Sequence, residues 1–171
     1  SLACGIIARI LAARNNLPQT EQLFVSGLLH DIGKLIVYSC YPEHATVCFC
    51  LAESSNTSVF QTERNIIGIN HPQLAKHLLS KWKLPMDLTD NIIYHHAPSR
   101  ASNSDTAGIV HLADIISQGL GIGYSGERSI PHFDYPVMDK IVDSRHSIPM
   151  VVRQAVHQLG PMEAIFQGQT N

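Results

Sequence analysis

Gly27-Leu28-Leu29-His30-Asp31-Ile32-Gly33-Lys34-Leu35-Ile36 is the stretch on which the reading of this chain turns. Leu28, Leu29, Ile32, Leu35 and Ile36 recur at helical spacing and predict a helix with one face in the core. A His-Asp pair and a lysine interrupt that apolar run. Imidazole beside carboxylate offers a divalent metal one nitrogen and one oxygen ligand, and Lys34, one turn on, can meet an anion. Gly33 costs about 1 kcal/mol relative to alanine inside a helix, so it serves close packing or the close approach of a ligand. Taken alone, the pair is equally well explained as a buried histidine held by its neighbouring aspartate.

Composition bounds the class. With 171 residues, 44% hydrophobic and 15% charged, the chain predicts one soluble globular domain with a sizeable core. A net charge of -2 with no basic cluster gives non-specific binding of DNA nothing to act through. No apolar run is expected to span a bilayer, and Leu2 to Ile10 lacks the basic flank of a signal peptide, so no membrane partner is expected. Cys4, Cys40, Cys48 and Cys50 show no C-x-x-C spacing and read as reduced, mostly packed thiols of a cytoplasmic protein. Ten histidines are far above ordinary usage, and their placement needs an explanation.

Outward from the His-Asp stretch, the pattern is helical throughout. A first helix is predicted over Leu2 to Ala13, closed by Pro18, and a second from Glu21 through Tyr38 with Thr20 as N-cap. Pro42 opens a helix that ends near Ser54-Ser55-Asn56-Thr57, and Val59 to Ile69 reads as another. Asn70-His71-Pro72 is a helix start, followed by Leu74, Ala75, Leu78, Leu79 and Trp82 on one face. A helix from Asp87 to His96 is stopped by Ala97-Pro98, and Ser104 is expected to cap a strong helix over Thr106 to Leu120. Gly119, Gly121, Gly123 and Gly126 form a loop running through Pro131 and Pro136. No strand precedes this loop to make it a nucleotide-binding turn. Val137 to Val142, Met150 to Leu159 and Met162 to Phe166 read as short terminal helices. The fold class expected is all-α, roughly seven to nine helices without a sheet.

Several metal-ligand types fall at helix ends or on apolar faces: His30, Asp31, His71, His95, His96 and Asp114. Asp114 lies among Ile109, Val110, Leu112, Ala113, Ile115 and Ile116, where an unpaired carboxylate is costly and calls for a cation. His95-His96 at a helix end offers two imidazoles in different directions. His71 at a helix N-terminus meets the positive end of the dipole, which favours the neutral, ligating form. A mixed His/Asp shell suits Fe, Mn, Zn or Mg, although each residue singly is explained as well by capping, pairing or exposure. His111, one turn before Asp114, is placed to orient it by a hydrogen bond. His77 reads as surface, and His44, His132, His146 and His157 as ordinary polar positions.

In this order the words FVSGLLHDIGKLI (24–36), INHPQLAKHLLSKWKLP (69–85), IIYHHAP (92–98) and IVHLADI (109–115) resemble the HD superfamily, with its sequence of signatures H…HD…H…HH…D on a helical fold. The chain looks most like the HDOD branch, the HD-related output domains of bacterial signalling proteins. That resemblance implies a single helical domain over residues 1–171, a fragment lacking the family's N-terminal helices. It implies His30, Asp31 and Asp114 as the basic metal set, His71, His95 and His96 as the further ligands of binuclear HD-GYP relatives, and Lys34 as a phosphate-contacting lysine. The family's opening histidine is expected at or just before Ser1. Ala97-Pro98-Ser99-Arg100 follows the paired histidines without the H-H-E and G-Y-P words of cyclic dinucleotide phosphodiesterases.

Two functions follow. One is a signal-transduction output module that acts on other signalling proteins or domains, its pocket holding a divalent metal, a nucleotide or phosphoester ligand, or nothing. The other is a metal-dependent phosphohydrolase using metal-activated water. In that enzyme Lys34 and Asp31 would be the catalytic residues, and no nucleophilic side chain is required.

Overall fold

The computed structural model describes residues 1–121, 132–142 and 148–166. In chain order the helices are α1 (Leu2–Arg14), α2 (Thr20–Leu29), α3 (Ile32–Cys40), α4 (Pro42–Ser55), α5 (Val59–Ile66), α6 (His71–Lys81) and α7 (Met86–Ile93), then a 3₁₀ turn (Pro98–Arg100), α8 (Ser104–Gly119), α9 (Tyr135–Ile141) and α10 (Ile148–Phe166). There is no strand among the described residues. The expected all-α class holds.

α1 is apolar around most of its circumference, with Arg9 on the remaining side, and is accordingly the central helix, packed against α2, α8 and α10. Ile6, Ile7, Leu11, Leu23, Ile109, Val110, Met138 and Val151 are buried in this main core. A smaller cluster, Ala75, Leu79, Leu88 and Ile92, joins α6 to α7, with Leu29 and Ile32 packed on it. The His-Asp stretch lies between the two cores.

Several boundaries differ from the sequence reading, among them the ends of α5 at Ile66 and α7 at Ile93, three residues early, and three further differences bear on the site or the chain's course. The helix expected from Glu21 through Tyr38 is broken at His30 and Asp31. Asp31 leaves helical geometry at φ -97, ψ 11 and takes the N-cap position of α3. Apolar periodicity runs through the break, so the pattern alone does not reveal it. Met150–Leu159 and Met162–Phe166 are one helix, α10, continuous across Gly160-Pro161. The N-cap of α8 is Asn103, whose side chain accepts from the Asp105 and Thr106 amides, not Ser104. Thr20–Cys40, 21 residues read end to end, is by composition long and apolar enough to cross a bilayer, contrary to the expectation above. In the fold the break at His30-Asp31 divides it into α2 and α3. The glycine-rich loop after Gly121 lies outside the described residues.

Close approach explains two glycines. A Cβ at Gly27 would stand 2.8 Å from Gly5 Cα, so α1 and α2 cross backbone to backbone. A Cβ at Gly33 would collide with the His71 carbonyl and stand 3.1 Å from the Ala75 amide nitrogen. α3 therefore rests directly on the first turn of α6. Of the two roles expected for Gly33, the structure supports packing.

Candidate metal centre

The break between α2 and α3 presents His30 and Asp31 toward the start of α6, the end of α7 and the middle of α8. His30 Nε2 lies 3.3 Å from Asp31 Oδ2 and 3.3 Å from Asp114 Oδ1. His71 Nε2 and His95 Nε2 lie 3.4 Å and 4.0 Å from Asp31 Oδ1. His96 Nε2 is 3.1 Å from His71 Nε2, and Lys34 Nζ is 3.0 Å from Asp31 Oδ2. Every site residue expected from sequence is therefore in one cluster.

The orientation of the rings carries the chemistry. His30 Nδ1 faces Gly27 O at 2.7 Å, His95 Nδ1 faces Ile92 O at 2.6 Å, and His71 Nδ1 faces Glu63 Oε2 at 2.6 Å. Each Nδ1 has an acceptor, so in the neutral tautomer it carries the proton and donates. The Nε2 lone pair is then turned inward, as the outer hydrogen bonds of metal-bound histidines do. Three inward lone pairs meet two carboxylates. His30 Nε2, Asp31 Oδ1 and His95 Nε2 are buried without any hydrogen-bond partner. Buried polar atoms left so are costly, and a cation among them relieves that cost. The donor set of imidazoles and carboxylates fits Zn, Fe or Mn and contains too much nitrogen to favour Mg.

The charges have settled accordingly. Burial opposes the charge on His30, but Asp31, Cys4 and Asp114 outweigh it and hold the imidazole well above its usual range. Burial also raises both carboxyls. The His30 charge overrides it, pulling Asp114 down to about 2, and with Lys34 holds Asp31 well below the usual carboxylate range. Burial, with His30 and His71 adding to it, keeps His95 neutral by lowering it to about 3. His96 is likewise pushed well down, first by burial and then by His95 and His71. In the metal-free protein a proton on His30 Nε2, in place of the inward lone pair, sets positive charge beside the Asp31 and Asp114 carboxylates, where a bound cation would otherwise stand.

Two residues of the cluster escaped the sequence reading. Glu63 on α5 is fully buried, and its Oε2 also accepts from the His71 amide at 2.8 Å. It orients both the ring and the first turn of α6. Cys4 on α1 is fully buried, and its Sγ lies with a His30 nitrogen and an Asp114 oxygen inside a 4.8 Å circle of donors. The expected role of His111 shifts. Its Nδ1 bonds His95 O at 2.7 Å, so it braces the paired histidines, while Gln118 Nε2 bonds both Asp114 oxygens at 3.0 and 2.9 Å. His77, His44, His132 and His157 are exposed, and His146 is outside the described residues.

Fold and cluster together define a helical domain with a buried His/Asp centre. A family model, the HDOD domain, matches residues 1–98, and the chain belongs to that family. An uncharacterized protein of Treponema pallidum (strain Nichols) is 25% identical over 73 residues, which is 43% of this chain and 14% of that protein. Among solved structures, an HDOD domain protein of unknown function from Geobacter sulfurreducens aligns with TM-score 0.68 and 20% identity over 97% of this chain. A protein from Shewanella amazonensis SB2B, provisionally named a phosphohydrolase, aligns with TM-score 0.66 and 21% identity over 93%. At these identities the two structures show the fold alone, and this chain spans 57% of each.

Proposed function

We propose that the chain is an output module of a bacterial, cytoplasmic signal-transduction protein, whose buried His/Asp centre holds a divalent metal and whose partners are other signalling proteins or domains. The observation that carries the metal is the enclosed convergence of unpartnered His30 Nε2, Asp31 Oδ1 and His95 Nε2. His30, Asp31, His71, His95 and Asp114 would hold it, with His96 at the margin. A metal there supplies positive charge and Lewis acidity. The chain's own groups do the rest. Glu63 and the Gly27 and Ile92 carbonyls keep the imidazoles turned inward, and Gln118 holds Asp114. The ligands come from the α2–α3 break, α6, the end of α7 and α8, so binding ties four parts of the chain together. That makes the centre suited to setting the conformation presented to a partner.

Enclosure favours output over turnover. His71 and His95 have no exposed surface, and Lys34, the residue expected to meet phosphate, is buried and engaged by Asp31. One observation favours the second reading, a metal-dependent phosphohydrolase. A cleft of about 480 Å³ abuts His96 and is lined by Arg64, Lys76 and Arg100 without a carboxylate, a setting for a nucleotide or phosphoester. Elemental analysis of untagged protein, followed by a phosphodiester and nucleotide hydrolysis screen, separates the two. The output reading expects bound transition metal without hydrolysis. Hydrolysis by the wild type that is abolished in Asp31→Ala would overturn it.

A further inference from the structure

α1 contributes one side chain to the centre, and it is a thiol. Cys4 has no exposed surface, and its Sγ lies 4.0 Å from Val110 O, a weak bond for an S–H donor. It lies within 4.8 Å of a His30 nitrogen and an Asp114 carboxylate oxygen, which are themselves mutual neighbours. Donors around a tetrahedral ion at about 2.0–2.3 Å stand roughly 3.3–3.8 Å apart. The His30 Nε2 to Asp114 Oδ1 separation of 3.3 Å already meets that spacing. Independently of the thiol, the buried His30 Nε2 has no hydrogen-bond partner, and its ring is fixed by Gly27 O so that this atom faces inward.

We propose that Cys4 is a metal ligand, its sulfur joining His30 and Asp114 in a nitrogen–oxygen–sulfur face that selects a borderline ion such as Zn²⁺, Co²⁺ or Fe²⁺ over Mg²⁺. This rests on the metal-centre reading above and adds to it the ligand from the central helix. On binding, the sulfur–metal bond forms as the S–H bond breaks, His30 Nε2 gives up the proton it carries in the metal-free protein, and both protons pass to solvent. Soft sulfur discriminates against magnesium, which takes oxygen donors. The same bond would fasten α1 to α8 and to the α2–α3 break.

The test is cobalt titration of the metal-free chain, read in the near-ultraviolet for sulfur-to-cobalt charge transfer and in the visible for ligand-field bands. A Cys40→Ser/Cys48→Ala/Cys50→Ser variant, which keeps Cys4 alone, should show the charge-transfer band at one equivalent. Cys4→Ser and Cys4→Ala should lose that band, keep visible absorption from the imidazoles and carboxylates, and bind cobalt about tenfold or more weakly. Circular dichroism checks that both fold. If neither folds, the Cys4-only variant decides alone. Visible bands without charge transfer in that variant would overturn the proposal while leaving the metal centre standing. No cobalt binding by any folded form would overturn both, and efficient displacement of cobalt by an equal concentration of Mg²⁺ would overturn the selectivity.

Discussion

Gly33→Ala is the substitution that most sharply separates the reasons a glycine stands beside the centre. In an ordinary helix the change stabilises, by up to about 1 kcal/mol from helix propensity and the unfolded chain. Here the new Cβ would overlap the His71 carbonyl oxygen, stand 2.7 Å from its carbonyl carbon and 3.1 Å from Ala75 N. Carbon contacts are comfortable at about 3.5–4.0 Å, so α3 and α6 must part by about 1 Å. The obstacle is backbone and cannot rotate away. Overpacking of this kind costs about 1–3 kcal/mol, and a backbone clash belongs at the upper end. Against the propensity gain, the net expectation is a loss of about 2 kcal/mol. The same displacement draws His71 Nε2 away from Asp31 Oδ1, now 3.4 Å distant, and should weaken zinc binding about tenfold. Urea unfolding followed by circular dichroism measures the first effect, and calorimetric zinc titration the second. A variant as stable as wild type with unchanged zinc affinity would refute the contact between α3 and α6 as the reason for Gly33.

Glu63→Gln keeps the shape of the residue that orients His71 but removes its charge. Zinc affinity should fall about 10–100-fold, measured by competition with a chromophoric chelator. In metal-free protein, Asp114 at about 2 lies below the usual 3.8, so its contribution of about 2 kcal/mol is present above pH 4 and lost as pH falls toward 2. His30, raised well above 6.5, acts with the opposite sign: its contribution is full below that value and disappears as pH rises through the raised one. Urea midpoints across pH should therefore fall at both ends, and Asp114→Asn should flatten the acid limb. Ile109→Ala, at a fully buried position of the main core, should cost about 2–5 kcal/mol in the same assay without changing which metal binds.

The all-α class and the six residues that cluster around the centre were legible because they rest on local signals: helical periodicity, a His-Asp pair, a histidine at a helix start, a His-His pair, and a carboxylate stranded among Ile109, Ile115 and Ile116. Glu63 was not legible. Its neighbours Gln61, Thr62, Arg64 and Asn65 make it look like any solvated glutamate, and it is buried only because the fold packs α5 on α4 and turns this carboxylate onto His71 at the start of α6. Cys4 was hidden differently, since a lone thiol in an apolar helix reads as packing until α8 and the α2–α3 break are brought to it. The break itself left no trace in the pattern. Leu28, Leu29, Ile32 and Ile36 keep helical spacing across Asp31, whose side chain is held by Lys34 and faces His30 and His71.

The central claim is that His30, Asp31, His95 and Asp114 surround a metal rather than one another. An anomalous difference map from crystals grown with zinc tests it most directly. The account predicts one strong peak bonded to His30 Nε2 and to oxygens of Asp31 and Asp114 at about 2.0–2.3 Å. A map without a peak there, with the His30 imidazole hydrogen-bonded to the two carboxylates in zinc-saturated crystals, would contradict it.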